Sequence, residues 1–423
     1  MKGNIAGRTR EFITPALVFH TGITVKKASG IYIESTDGKR YMDFTSGLAT
    51  TNLGHCPPPV IEAVGKQVKT LIHSGCIFYY DSLLKLSERL REITPDPIEM
   101  FFFSNSGAEA IEGAIKLARF YTGRQGIIAF TGGFHGRTFG ALSLTTSSAR
   151  YRKNYHPLLP AVFHAPYPYC YRCPVGRNPR TCSTDCFGYL EWMFEHLITP
   201  EEVSCAVIEP VLGEGGYTAA PFPYLRKLRE LCTRHGILLV ADEVQSGFGR
   251  CGKWFAMEHS GVRPDILVMA KAIASGFPLS VVASSKKIMK KWSPGAHGTT
   301  FGGNPVSAAA ACATIDAIKG QGLLENAGRV GAYAMGRLNS LKKKYPSIGD
   351  VRGIGLMIGV ELVKKDRSPD TRLMKHVLKE CEKRGLIIVE CGRHKNIARF
   401  MPPLVVTKAQ MEDAIGIFKE SLL

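Results

Sequence analysis

From residue 100 to residue 270, short apolar runs alternate with stretches of helical periodicity, and this alternation restricts the fold more than any other feature. The runs are MFFFS (100–104), GIIAF (126–130), CAVIEP (205–210), GILLVA (236–241) and ILVMA (266–270). Short apolar runs of this kind, most of them rich in Ile, Val and Leu, suit strands buried on both faces. After the first run, Ile111, Ala114, Ile115 and Ala118 recur at the spacing of one helix face. Ahead of GILLVA, Leu225, Leu228, Leu231 and Cys232 make a second helical stripe, closed by Gly236. Strand and helix in regular alternation predict an α/β fold, a mostly parallel sheet with helices on both faces.

The flanks read differently. A helical stretch over about 307–344, an alternating strand over 354–362, a helix around 369–384 and the strand GLIIVE (385–390) predict a smaller α+β domain. Near the start, IYIES and RYMDF flank the turn signal Thr36-Asp37-Gly38-Lys39 and predict short strands. The 423 residues thus divide into a segment 1–60 packing with the small domain, a large domain 61–310 and a small domain 311–423. With 45% hydrophobic and 21% charged residues, the chain can bury a core and is no disordered tail. The net charge of +18 is compatible with nucleic acid, an anionic surface or small acidic substrates. It is scattered, with clusters only at Lys286, Lys287, Lys290 and Lys291 and at Lys342–Lys344, which points away from nucleic acid. The N-terminus lacks the apolar core of a signal peptide, and no apolar run approaches the roughly 18 residues that cross a bilayer. The expectation is a cytoplasmic protein with no membrane partner. The isolated Cys205, Cys232 and Cys312 fit that compartment as small hydrophobes.

In open α/β sheets ligands gather at the carboxyl ends of strands, and chemistry-bearing residues follow three of these runs. GILLVA leads to Asp242-Glu243-Val244-Gln245, ILVMA to Lys271, and MFFFS to Asn105-Ser106-Gly107-Ala108 at the start of a helix. Singly, each has an ordinary explanation: an acid caps a turn, a lysine reaches for water, a serine caps a helix. Together they describe a ligand with an anionic phosphate, a basic ring nitrogen and an aldehyde. Pyridoxal 5′-phosphate has those three handles.

The sequence resembles the class III, fold-type-I aminotransferases that include 4-aminobutyrate, ornithine and acetylornithine aminotransferases. The matching stretches are DGKRYMDF, SNSGAEA, FHGRT, IEPVLGEGG, ADEVQSGFGR, AKAIASGFPL, HGTTFGGNP and ARFMPPL, in family order over about residues 30–405. The resemblance implies a large domain with a mostly parallel sheet plus a smaller α+β domain. It implies that Lys271 is the Schiff-base lysine and general base, that Asp242 pairs with the pyridine nitrogen, and that Gln245 touches the ring hydroxyl. Phe134 would stack on the ring with His135 beside it, and Ser106, Gly107 and Ala108 would hold the phosphate. Thr300 would join that phosphate from a neighbouring subunit, which implies a homodimer or a higher homo-oligomer.

For substrates, the resemblance implies that Arg399 receives an α-carboxylate, that Glu214 covers Arg399 when an ω-amine is bound, and that Arg137 holds a distal carboxylate. Glu209 would help orient the site. The expected reaction is ping-pong transamination from an ω-amino acid such as 4-aminobutyrate to a keto acid, 2-oxoglutarate. Alternatives within the family are an amino-acid racemase or epimerase and an ornithine or lysine ω-aminotransferase. Outside it stands a non-enzymatic basic binding protein. An insert at 167–187 carries Cys170, Cys173, Cys182 and Cys186 as C-x2-C-x8-C-x3-C, compatible with zinc, an iron–sulfur cluster, a disulfide or redox pair, or inert thiols.

Overall fold

The computed structural model describes residues 5–423. Its centre is a seven-stranded sheet in the spatial order Met100–Ser104, Ser280–Ser284, Ile266–Met269, Leu238–Asp242, Val203–Ile208, Gly126–Phe130 and Val162–Ala165. Only Ser280–Ser284 runs antiparallel to its neighbours; the other pairings are parallel. All five apolar runs became strands of this sheet, and the interior strands are buried along their whole length. Ser280–Ser284 and Val162–Ala165 were not read from sequence. Ser280 and Ser284 confine the apolar run of the first to Val281–Ala283, and His164 interrupts the second.

Helix Gly107–Thr122 covers one face with Ile111, Ala114, Ile115 and Ala118, the stripe expected from sequence, and Phe222–His235 packs through Leu225, Leu228, Leu231 and Cys232. The helical stretch expected over 307–344 is two helices, Pro305–Gly320 and Leu323–Lys344. Gly322 divides them at φ +60°, a left-handed conformation that glycine adopts without steric cost. The strand expected over 354–362 is a hairpin of Ile348–Ile354 and Met357–Leu362, and the second arm is wholly buried rather than half-buried. GLIIVE likewise splits. Leu386–Ile387 pairs in parallel with Arg40–Asp43, while Val389–Cys391 joins Ile397–Phe400 in a second four-stranded sheet. The pairing of Leu386–Ile387 with Arg40–Asp43 fastens the N-terminal strands to the C-terminal part of the chain. No helix among the described residues is long and apolar enough to cross a membrane.

Candidate active site

The site forms where the parallel strands run out. Asp242 is the last residue of its strand, Glu209 follows Ile208 directly, Lys271 lies two residues beyond Met269, and Phe134 and His135 sit in the loop after Phe130. Asp242 and His135 are buried and joined by a 2.7 Å contact between Oδ2 and Nδ1, while Asp242 Oδ1 accepts the Val244 N–H at 3.0 Å. Burial works against charge on His135, but the Asp242 hydrogen bond and the fields of Asp242 and Glu209 outweigh it and hold its pKa above the ordinary imidazole value.

Lys271 takes a positive φ of +46°, which is rare for a side-chain-bearing residue and typical of functional positions. Its ammonium makes no hydrogen bond or ion pair with a described residue. Burial therefore pulls its pKa down, against the opposing fields of Asp242 and Glu209. A lysine amine in that condition is a competent nucleophile and proton carrier.

Helix Gly107–Thr122 opens with a capping box: Ser106 Oγ accepts the Glu109 N–H, and the Glu109 carboxylate accepts the N–H groups of Ser106 (2.7 Å) and Asn105 (3.0 Å). The N–H of Ser106 is thus committed, which leaves its hydroxyl as the group it can offer an anion. The N–H groups of Gly107 and Ala108 remain for an anion at the positive end of the helix, together with the Ser106 hydroxyl proton. The Phe134 loop reaches this turn because residue 136 is glycine, at φ +130°. A Cβ there would fall 2.6 Å from Ala108 Cβ. Gln245 Oε1 is buried without a partner, an acceptor that suits a ring hydroxyl. A nucleophilic amine, a buried carboxylate, an orphaned acceptor and free helix N–H groups together fit pyridoxal 5′-phosphate. Thr300 is exposed.

Glu209 sits differently from a proton-transfer group. Its Oε1 accepts the Phe134 N–H and its Oε2 the Gly213 N–H, both at 2.8 Å, so one carboxylate ties the ring-side loop to the loop carrying Glu214. Burial pushes its pKa up, to about 7.

Arg399 lies in strand Ile397–Phe400, 4% exposed, with Nη1 3.1 Å from Glu214 Oε2. Its Nε is buried and unpartnered. Arg137 is exposed, and its guanidinium lies 4.3 Å from the centroid of the Tyr151 ring. Tyr151, which sequence reading missed, touches both halves of this arrangement, since its hydroxyl donates to Glu214 Oε1 at 3.0 Å. No motif marks it; it belongs to the short turn Ala149–Tyr151.

The four insert cysteines do not form the metal ligand set considered from sequence. Among the described residues no group of three or more His, Cys, Asp or Glu side chains is placed to hold a metal ion. All four are free thiols. Cys173 and Cys182 instead accept the N–H groups of Arg177 and Asp185, and burial raises the Cys186 thiol to about 11. The insert docks on the C-terminal part through Glu361, which meets the Tyr169 hydroxyl and, at 2.5 Å, Arg172 Nε.

Comparison with known proteins identifies the family. The aminotransferase class-III family matches residues 15–422. A Bacillus subtilis (strain 168) protein named "Probable 4-aminobutyrate aminotransferase" is 37% identical over 94% of this chain and 92% of its own length. A Pyrococcus horikoshii "Alanine/serine racemase" is 39% identical over 96% of this chain and 88% of its own. Among solved structures, an amine transaminase from an uncultivated Pseudomonas species, in its PLP-bound form, superposes with a TM-score of 0.89 at 30% identity, covering 98% of this chain and 97% of the other.

Proposed function

The chain belongs to the class-III aminotransferase family and is a pyridoxal 5′-phosphate-dependent transaminase; from that premise we propose that it takes the amino group of an ω-amino acid of the 4-aminobutyrate kind and passes it to 2-oxoglutarate. The carrying observation is Arg399, buried, paired to Glu214 through one nitrogen and left with an unpartnered Nε. A guanidinium so placed has a ready partner when Glu214 stays and a vacant fork for an α-carboxylate when it leaves. An ω-amine carries no carboxylate next to its reacting carbon and is served by the first state. A keto acid needs the second. Arg137, at the mouth, holds the distal carboxylate common to both.

Pyridoxal 5′-phosphate supplies, when bound, an aldehyde that accepts the amino nitrogen and a protonated ring that withdraws electrons from the neighbouring carbon. Gly107 and Ala108 hold its phosphate through their N–H groups, with the Ser106 hydroxyl. Asp242, oriented by His135 and the Val244 N–H, would pair with the ring nitrogen, and the orphaned Gln245 Oε1 would accept from the ring hydroxyl. Phe134 flanks the ring. Lys271 Nζ moves the proton between the substrate carbon and its acceptor position, a role consistent with its lowered pKa.

Thr300 completes the phosphate site across a homodimer. Ile77, Phe78, Tyr79 and Phe301, each at least 60% exposed, supply an apolar surface on the same side as Thr300, consistent with burial by a second copy.

A second reading, amino-acid racemisation, is favoured by the 39% identity to a racemase. Incubation with 4-aminobutyrate and 2-oxoglutarate should yield glutamate and a semialdehyde. Conversion of an L-amino acid to its D-form without any keto acid, with no glutamate from ω-donors, would replace the proposal by the second reading.

A further inference from the structure

The Glu214 carboxylate has two holds. One is the ion pair to Arg399; the other is the Tyr151 hydroxyl, the only side chain or backbone group among the described residues that donates a hydrogen bond to it. Tyr151 is itself fixed from three directions. Arg150 Nη2 donates to its hydroxyl oxygen at 3.2 Å, the Arg137 guanidinium lies over its ring, and Phe134 meets the ring edge-on at 5.7 Å. A hydroxyl that accepts from a cation while donating to a carboxylate is polarised in the direction that strengthens the second bond. The ring contacts fix the rotamer that aims it.

We propose that Tyr151 is a positioning residue that latches Glu214 over Arg399, and so sets the balance between substrates without an α-carboxylate and substrates bearing one. The inference rests on the reading of the Arg399–Glu214 pair as a two-state switch. With Glu214 latched, Arg399 is neutralised and the site suits an ω-amine. For a keto acid to bind, both the ion pair and the Tyr151 hydrogen bond must be given up, so the hydroxyl opposes α-carboxylates and favours ω-amines. A residue that merely supported the fold would affect both substrates alike.

The test uses PLP-loaded wild type, Tyr151→Phe, Glu214→Ala and the double variant. Calorimetric titration with glutarate, an unreactive dicarboxylate, reads the availability of Arg399. Half-reaction kinetics with 4-aminobutyrate and with 2-oxoglutarate read the balance. Tyr151→Phe, which keeps the ring, should bind glutarate about tenfold more tightly, the order expected for losing a hydrogen bond to a charged group. It should lower KM for 2-oxoglutarate and slow the 4-aminobutyrate half-reaction. In the Glu214→Ala background the same substitution should change neither. A parallel loss with both substrates, an unchanged glutarate affinity, or an equal effect without Glu214 would overturn the latch. The titration needs no turnover. Tighter glutarate binding in a protein inactive on every ω-amino acid would sink the substrate reading alone, whereas ω-donor turnover with a flat titration would sink the latch alone.

Discussion

Replacing Glu214 by glutamine removes the charge that competes with substrate carboxylates for Arg399 while keeping the side chain's shape. The separation of 3.1 Å corresponds to a gross attraction of about 5 kcal/mol at an effective dielectric of 20. Glu214 is 28% exposed, so water screens part of this, and a net value of about 1.5–3 kcal/mol is the reasonable range for a charge-assisted contact. A dicarboxylate that must displace Glu214 loses that amount from its binding free energy. Glu214→Gln should therefore tighten glutarate binding by roughly 10- to 150-fold, at 1.4 kcal/mol per factor of ten. In the same variant Arg399 is buried without its ion-pair partner, so the ligand-free protein should melt earlier and recover when glutarate is added. Titration calorimetry and thermal unfolding with and without glutarate measure both effects. Equal or weaker glutarate affinity in Glu214→Gln would refute the idea that this carboxylate guards Arg399.

Lys271→Ala should abolish the visible absorbance of the loaded wild type and all transamination while leaving the far-UV circular dichroism intact; retained turnover would remove Lys271 from its role. Gly213→Ala should weaken cofactor retention, because a Cβ there would lie 2.6 Å from Gln245 Oε1 and push that amide out of place; gel filtration followed by absorbance would show the loss, and undiminished retention would count against the Gln245 assignment. Glu243 is buried, accepts from Ser246 Oγ and the Met257 N–H, and has its pKa pushed up by burial to about 7. Its folded pKa exceeds the unfolded value of about 4.5, so the folded state keeps a proton that the unfolded state releases, and stability falls as pH rises from about 4.5 to 7. The slope is up to about 1.4 kcal/mol per pH unit for one such group. Glu209 is shifted in the same direction, so Glu243→Gln should reduce the slope in urea unfolding at pH 5, 6 and 7 without abolishing it; an unchanged slope would show that Glu243 is ionised throughout.

The central sheet was legible because its interior strands are apolar on both faces, and burial on both faces leaves a contiguous signature. The interior strand Ser280–Ser284 escaped notice because serines confine its apolar run to Val281–Ala283, and the edge strand Val162–Ala165 because His164 breaks it. The breaks at Gly322 and Gly355 were missed because both lie within patterns that continue across them. There, a local backbone conformation overrides side-chain periodicity. Among site residues, Asp242 and Lys271 were readable since each directly follows an apolar run. The split of labour at Ser106 was hidden, because Glu109 competes for the same N–H groups and one sequence does not say which acceptor wins. The cysteines illustrate the reverse. Their spacing allowed a metal, but Cys173 and Cys182 turn toward backbone N–H groups in their own loops.

Glu209 connects the two functions that sequence could only assign separately. On the proposed reading Phe134 would face the cofactor and Glu214 would serve the substrate switch, in loops that follow different strands. One buried carboxylate takes a backbone N–H from each at 2.8 Å. Tyr151 repeats the connection at side-chain level, with its ring against Phe134 and its hydroxyl on Glu214. In the proposed arrangement the Glu214 loop is thus tied both to the Phe134 loop and, through the Gly392 N–H that the Glu214 carbonyl accepts at 2.9 Å, to the C-terminal part that carries Arg399. In that proposal the Glu214 side chain alone would swing, so that what Arg399 can hold would change separately from the cofactor face. A two-substrate site needs that separation, since the cofactor geometry must serve both half-reactions while carboxylate recognition must differ between them.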